Sequence, residues 1–487
     1  MNALDKIIGY LAPQRAVARV RARLQLSNSR RYEAAASGRR TDNWRAVGNS
    51  ANAEIGPDLI KTRDRHRDLV RNNPWAGRAV QAIVANTVGF GITAKITVSS
   101  AGATAKINDL WKQWAETTAC DADGRHDIYG IQALINRTVV ESGECLIRRR
   151  WRKADDGFPV PMQVQVIEPD YLDVGRTELL PSGHRIIQGV EFDLIGRRAS
   201  YWLFRDHPGD VLASNAQSYP VPASEIHHVY RQDRPGQVRG MPWGAAAMIT
   251  LRDLDDYEDA YLFRQKMANC SVGAITGGDG ITTTAADNII IPTTMEPGAW
   301  QILPDGKTVT FNNPPNAGDY GPYTRDVLLR VAAAYGITFQ ALTGDLSSVN
   351  FSSGRMGWLE FQRNIDTWRW TMLIPQACDP IGQWFVQAAN MLPGMRSVIA
   401  AFEWSPPRRE MIDPSSEVPA IIKAVRGGIY SLSQVHREQG LDSAKVVAEI
   451  AASNKALDDA KIVLDSDPRH ITQAGQTQLE ATTNAHP

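Results

Sequence analysis

The sequence predicts a helix-rich α+β chain. Long segments repeat their apolar residues at helical spacing, while a two-residue alternation is confined to residues 145–230 and a short stretch near 299–311. Composition agrees, since 43% of the 487 residues are hydrophobic. That fraction builds real cores and excludes a wholly disordered chain, and the length corresponds to about three domains at roughly 150 residues each.

Residues 1–80 contain 16 Lys+Arg against 7 Asp+Glu, and the arginines between Arg15 and Arg40 lie among Ala, Ser and Asn. Residues 1–56 are therefore predicted to form a loosely docked basic arm. Two helices are predicted between Pro57 and Gly89. The first carries Leu59, His66, Leu69 and Val70; the second opens on Asn73 as N-cap with Pro74 after it, and turns Ala76, Val80, Ile83 and Val84 to one side. Asp127 and Gly143 bracket another helix at 128–142, and Trp111 and Trp114 belong to one at 109–116. The period then changes to two, and 145–151, 162–167, 186–194, 198–204 and 225–230 read as strands. Residues 57–240, with part of 336–413, are thus predicted to be an α+β domain with an antiparallel sheet.

A helix follows at 243–267, with Met248, Leu251, Leu254, Tyr257 and Tyr261 as its apolar stripe and Asp253, Asp255, Asp256, Glu258 and Asp259 as its acidic run. At about 1.5 Å per residue it is near 37 Å long, a pillar rather than an ordinary domain helix. Segments 241–270 and 321–335 form a pair of such helices around a β-rich insert at 271–320, which carries a strand at 289–291 and a hairpin joining 299–303 to 307–311. The polar segment 344–354 contains Leu346, Ser347, Ser348, Val349, Asn350, Phe351, Ser352 and Ser353 and is predicted to be loop. It feeds a long helix at 355–390, where Trp358, Phe361, Ile365, Trp368 and Met372 make a heptad-like seam that Pro375 is expected to kink or interrupt. Residues 414–464 read as helical with breaks at Gly427-Gly428 and Gly440, and 465–487 as a flexible polar tail.

Chemistry finds no foothold in these residues. Gly306-Lys307-Thr308 has Gln301 where a phosphate loop needs its first glycine, and it sits in a hairpin. Gly89-Phe-Gly91 lacks the third glycine of a dinucleotide fingerprint, and no GxSxG elbow occurs. His227 and His228 fall on opposite faces of a strand, and neither Asp155-Asp156 nor Asp255-Asp256 has a basic partner suited to proton transfer. No catalytic residue, metal or cofactor is predicted. Cys120, Cys145, Cys270 and Cys378 contain no CxxC pair, the first 26 residues run from apolar to basic, and no apolar run nears the roughly 18 residues of a membrane span. A soluble cytosolic protein is predicted. The balance of 53 Lys+Arg against 53 Asp+Glu speaks against a protein that coats nucleic acid.

Several motifs resemble the lambda-type portal proteins of tailed bacteriophages: Arg67-Asp-Leu-Val-Arg-Asn-Asn-Pro74, Val88-Gly-Phe-Gly-Ile92, Gly240-Met-Pro-Trp243 and, most specifically, Tyr335-Gly-Ile-Thr-Phe-Gln-Ala-Leu-Thr-Gly-Asp-Leu-Ser-Ser-Val-Asn-Phe-Ser-Ser-Gly-Arg355. The likeness continues through Trp404, Asp413-Pro414, Gly428-Ile-Tyr-Ser-Leu432 and Glu438-Gln-Gly-Leu-Asp442, so that it spans about residues 30–460 in one order. Phe351 stands where members of that family often carry tyrosine.

The resemblance implies a portal fold that assembles into a ring, typically a dodecamer, at one capsid vertex of the virion. Double-stranded DNA would be packaged and ejected through its axial channel without sequence recognition. Residues 57–240 would be the wing, 241–270 and 321–335 the stem, 271–320 the clip, 344–354 the channel loop, 355–390 its support and 414–464 the crown. The implied partners are the terminase large subunit, head–tail connector proteins and a major capsid or scaffold protein, with no membrane; assembly would take place in the host bacterial cytoplasm. ATP hydrolysis would belong to terminase. An acidic wall lets DNA slide where a cationic one would hold it, so the five carboxylates from Asp253 to Asp259 are candidates for the channel face. The other reading is a ring-shaped capsid or head–tail adaptor component without a DNA path.

Overall fold

A computed structural model describes residues 48–98, 100–211, 217–269, 273–276, 308–311, 320–347, 349–395, 397–408, 411, 413–441, 443–464 and 469. The chain divides into two units, Met1–Ser50 and Ala51–Pro487. Of the first, residues 48–50 are described and are irregular and exposed. The rest of the predicted arm, 1–47, lies outside the described residues, and everything below concerns the second unit.

Helix α1 (Ala51–Asn72) starts before Pro57 and carries that proline inside it. A proline removes an N–H donor and disfavours the helical turn around it. Tertiary hydrogen bonds outweigh that cost: Asn52 Nδ2 donates to Gly236 O at 2.9 Å, Asn52 Oδ1 accepts from Val238 N at 2.9 Å, and Gln188 Nε2 donates to Asn52 O at 2.7 Å. Residues 51–56, read from sequence as the end of the arm, are therefore helical.

Helix α2 (Pro74–Thr87) is capped as predicted, with Asn73 Oδ1 accepting from Trp75 N and Ala76 N at 3.0 and 3.1 Å. Helix α3 (Ala101–Ala115) extends further toward the N-terminus than the predicted 109–116. Helix α4 (Ile128–Ser142) runs from the Asp127 cap to Gly143, whose φ of +92° disfavours a side chain. The backbone of Gly240 and Met241 lies against Gly143, so a Cβ there would also collide.

Strand β2 (Glu144–Trp151) is the middle of a three-stranded antiparallel sheet between β3 (Met162–Ile167) and β9 (Ile226–Tyr230). A second antiparallel sheet orders β4 (Glu178–Leu179), β5 (Arg185–Ile187), β6 (Val190–Phe192), β7 (Arg198–Leu203) and β8 (Tyr219–Pro222). The single strand expected at 186–194 is thus two. Ile187 pairs with Val190 across a two-residue turn in which Gln188 and Gly189 have φ of +51° and +84°. Gln-Gly lacks the familiar Asn-Gly signature of such turns, which hid it in the sequence. Leu146, Ile167, Val190, Tyr201, Leu203 and Val221 form a second small core associated with these two sheets.

Strand β1 (Thr93–Val98) pairs antiparallel with β12 (Ala400–Ser405), from Thr93 opposite Ser405 to Val98 opposite Ala400. Neither strand was predicted. Helix α5 (Met248–Asn269) begins later than residue 243, because a turn of backbone occupies 244–247. Strands β10 (Gly273–Thr276) and β11 (Thr308–Phe311) pair with each other. Residues 289–291, 299–303 and 306–307 lie outside the described residues. Helix α6 (Tyr320–Tyr335) returns alongside α5. It is followed by α7 (Phe339–Thr343), α8 (Phe351–Trp368), a π-helical stretch (Arg369–Cys378) and α9 (Asp379–Ala389). Last come α10 (Pro414–Arg426), α11 (Leu432–Glu438) and α12 (Ser443–Ala460). Helices α2, α4, α6 and α8, the π stretch and α9 enclose the main core with β2 and β3.

Candidate channel elements

Helix α7 ends on Gly344 at φ +73°, after Thr338 has capped its start by accepting from Ala341 N at 3.2 Å. The polar segment then leaves the core. Asp345 accepts from Ser347 N at 2.9 Å, and Arg325 of α6 lies 3.6 Å from the Asp345 carboxylate, which ties the segment to that helix. The Ser347 hydrogen bonds hold the Asp345 carboxyl below its ordinary range. Leu346 is 66% exposed, and Ser348 lies outside the described residues. The predicted loop ends earlier than expected. Asn350 caps α8 by accepting from Ser353 N at 2.8 Å, and Ser353 Oγ accepts in return from Asn350 N at 3.2 Å. Phe351, Ser352 and Ser353 are consequently the first turn of a helix, because a reciprocal capping box satisfies donors that a loop would leave free.

The long motif around this segment now has a physical reading. Gly336 and Gly344 adopt left-handed backbone, while Thr338 and Asn350 are N-caps. Tyr335 anchors the base, its hydroxyl 2.7 Å from His66 Nε2, while His66 Nδ1 lies 2.6 Å from Glu141 O. Gly244 is in contact with both rings of that pair, leaving no room for a Cβ.

Helices α5 and α6 meet through tyrosines. Tyr257 and Tyr323 have ring centroids 4.5 Å apart, and Tyr261 and Tyr320 4.8 Å. The five acidic residues of α5 separate into two groups. Asp255 accepts from Asn73 Nδ2 at 2.8 Å and Glu258 from Tyr320 Oη at 3.0 Å, so both are held within the subunit. Asp253, Asp256 and Asp259 are exposed, and Arg252 lies 3.6 Å from Asp256.

Behind the loop stands a helical rod from Phe351 to Ala389. Phe361, Ile365, Trp368 and Met372 are buried in the main core and Trp358 packs on its edge. Trp368 meets Trp243 at 4.9 Å between ring centroids. Pro375 interrupts the α-helical pattern without ending the rod. The hydrogen bonding widens to a π-helix, in which Asp379 N donates to Ile374 O five residues back. Buried Arg369 secures this stretch: its Nε donates to Thr87 O at 2.7 Å and its Nη2 to Asn86 O at 2.8 Å, which caps the end of α2. Burial lowers its guanidinium pKa to about 10. Trp111 joins α3 to the far end of the rod, 4.9 Å from Phe385 and 5.6 Å from Phe402 of β12.

The sequence reading missed a buried charge cluster around Glu144. Glu144 is fully buried and accepts from Arg63 Nη2 at 2.7 Å, Arg239 Nη2 at 2.6 Å and Gly240 N at 2.9 Å. His228 Nε2 lies 2.9 Å from the same Glu144 oxygen that accepts from Gly240 N, and Asp170 lies 3.6 Å from Arg63. The Glu144 carboxyl stays well below its ordinary range because Arg239 and His228 outweigh the desolvation that would raise it. The only hint in the sequence was position, a glutamate directly after the helix-stopping Gly143. His227 faces the other way, as the strand period requires, and stacks on Trp384 at 4.0 Å.

Glu168, Asp170 and His207 bring three ligand-type atoms within 4.8 Å of one another, the one such group among the described residues. Arg67 Nη2 already sits 2.6 Å from Asp170 and 3.5 Å from Glu168, so a metal ion would have to displace a paired cation. No described helix is long and apolar enough to cross a membrane.

A helical rod carrying a capped polar segment beside two helices joined through tyrosines belongs to a helix-rich α+β scaffold. The model of the lambda family of phage portal proteins matches residues 37–369, and the chain belongs to that family. The probable portal protein of Halomonas phage phiHAP-1 is 27% identical over 459 residues, covering 88% of this chain and 87% of that protein. The portal protein of Escherichia phage N15 is 19% identical over 459 residues, covering 83% and 86%. Among solved structures, a chain from the neck of an empty gene transfer agent particle computed with C6 symmetry aligns over 82% of this chain and 95% of its own, at 14% identity and a TM-score of 0.49. A chain from the neck of the native particle computed with C12 symmetry aligns over 80% and 93%, at 15% identity and a TM-score of 0.46.

Proposed function

We propose that this chain assembles into a ring, a dodecamer, at one vertex of a phage capsid, and that double-stranded DNA is packaged and ejected through its axial channel. Family membership carries the reading. In it, residues 344–350 line the narrowest part of the channel. Ser347, Ser348 and Asn350 offer transient hydrogen bonds to phosphates without fixed charge. Exposed Asp253, Asp256 and Asp259 form an acidic strip on the stem that keeps DNA from binding by counterion release. Asp255 and Glu258 take no part in that strip, being engaged by Asn73 and Tyr320. The insert at 271–320 is the clip that docks the terminase large subunit and later the connector proteins, the wing meets the major capsid or scaffold protein, and residues 414–464 form the crown. The chain works as a conduit, and ATP hydrolysis belongs to terminase.

Electron-microscopy class averages of the purified protein test the assembly. A twelve-fold ring with a hole as wide as a duplex is expected; a closed ring without that hole would favour an adaptor that carries no DNA. The loop is tested by replacing Ser347 and Ser348 together with glycine, which spares the Asn350 cap. Rings are expected to form normally while packaging or retention of DNA falls, and normal filling would remove the loop from the mechanism.

A further inference from the structure

Arg148 and Arg150 point from the same side of β2, two positions apart and so about 6.7 Å along the strand. Their cross-strand neighbours on β3 are Gln165 and Gln163, neutral amides where a carboxylate would ordinarily balance the charge. Among the described residues neither arginine has a carboxylate within ion-pair distance. Arg150 Nε donates to Gln165 Oε1 at 2.7 Å and Arg148 Nη1 to Tyr219 Oη at 3.2 Å, while the buried Arg148 Nε has no partner. Burial, and next the charge of Arg148, hold the Arg150 guanidinium below its ordinary range. Two half-buried like charges side by side are costly, and both line a cleft of about 540 Å³. That volume lies in the range of pockets that take small ligands or single side chains, about 300–1,000 Å³, and is too small for a duplex.

The remaining lining decides which anion fits. Asp123, Glu168 and Asp210 stand in the same cleft with Arg205 and His207, so its charges are mixed; the carboxylates would repel any continuous run of negative charge but accept N–H groups or a basic side chain. We propose that this cleft is a receptor for a protein segment of alternating charge, one of whose carboxylates is gripped by Arg148 and Arg150 beside the Tyr219 hydroxyl while its basic groups meet Glu168 and Asp210. Guanidinium forks match planar carboxylates bidentately, which accounts for arginine rather than lysine at both positions. Its lining residues, all between 123 and 219, belong to neither the loop nor the proposed stem, and the proposal stands independently of the channel reading.

Fluorescence anisotropy on the full-length protein tests it with two probes, a fluorescein-labelled peptide alternating Asp and Lys, and a labelled duplex of DNA. Arg148→Gln with Arg150→Gln is expected to weaken peptide binding at least about tenfold, the equivalent of about 1.4 kcal/mol, and to leave duplex binding unchanged. Tyr219→Phe, which removes one hydroxyl, serves as the second variant should the double variant fold poorly, and is expected to weaken the peptide by a smaller factor. Failure of the wild-type protein to bind the peptide would overturn the proposal, as would peptide affinity that survives both variants. Loss of duplex rather than peptide binding would overturn it too, by assigning the cleft to phosphates.

Discussion

Glu144 is the residue on which most charge converges. It accepts from both buried guanidiniums, Arg63 and Arg239, while Asp170 is shared between Arg63 and Arg67. Removing one partner of a buried pair leaves the other charge uncompensated, so Glu144→Gln is expected to cost about 3–5 kcal/mol, measured by urea unfolding. The same cluster sets a pH dependence. Burial lowers His228 from the usual 6.5 to about 4, and His227 likewise to about 4. The unfolded chain takes those protons near pH 6.5, whereas the folded chain refuses them until about pH 4. Stability is therefore unaffected above pH 6.5 and is lost as pH falls toward 4, by up to about 1.4 kcal/mol per pH unit for each histidine. Thermal unfolding scans across that window check this, and His228→Asn is expected to flatten the slope.

At the scale of elements, the rod shows what sequence spacing conveys and what it cannot. The seam from Phe361 to Met372 was legible because helical periodicity is local, and all of those residues are buried. Trp368→Ala is expected to cost about 3–5 kcal/mol, read from the loss of thermal stability; unchanged stability would contradict its burial. The Asn73, Asp127 and Gly143 signals were legible for the same reason, since each cap acts on its own helix. Pro375 announced an interruption, but not that a π-helix would absorb it with Arg369 braced against the end of α2. Strands β1 and β12 were missed because each is short and finds its partner in the distant part of the chain. The loop motif was recognisable as a string before its parts had roles. Only the hydrogen bonds show that Asn350 ends the loop and begins the helix.

For the whole molecule, the last helices pose the clearest question. No residue of α10 is buried, although Val418 and Ile422 lie on it, and Val447 and Ile450 of α12 are half exposed. Apolar residues grouped and exposed in this way fit a partner surface. In the proposed ring they are covered by neighbouring subunits. Amide hydrogen exchange at 414–460 is accordingly expected to slow markedly in assembled rings relative to monomers, and equal rates would place the subunit contacts elsewhere. Charge follows the same logic in the proposed channel: the net of zero joins a basic first segment to the exposed carboxylates of α5, a distribution that would suit a polyanion moving through without staying bound.

The pairing of β1 with β12 also governs when a subunit can become itself. Thr93 and Ser405 are 312 positions apart. At about 5–20 residues per second, a ribosome that has released the first strand needs roughly 15–60 s to deliver the second. Throughout that interval β1 is an open edge, a template for any passing strand, and closing so long a loop is intrinsically slow. The sheet is completed only after helices α5 to α9 have been made, so a chain cut before residue 400 cannot complete it.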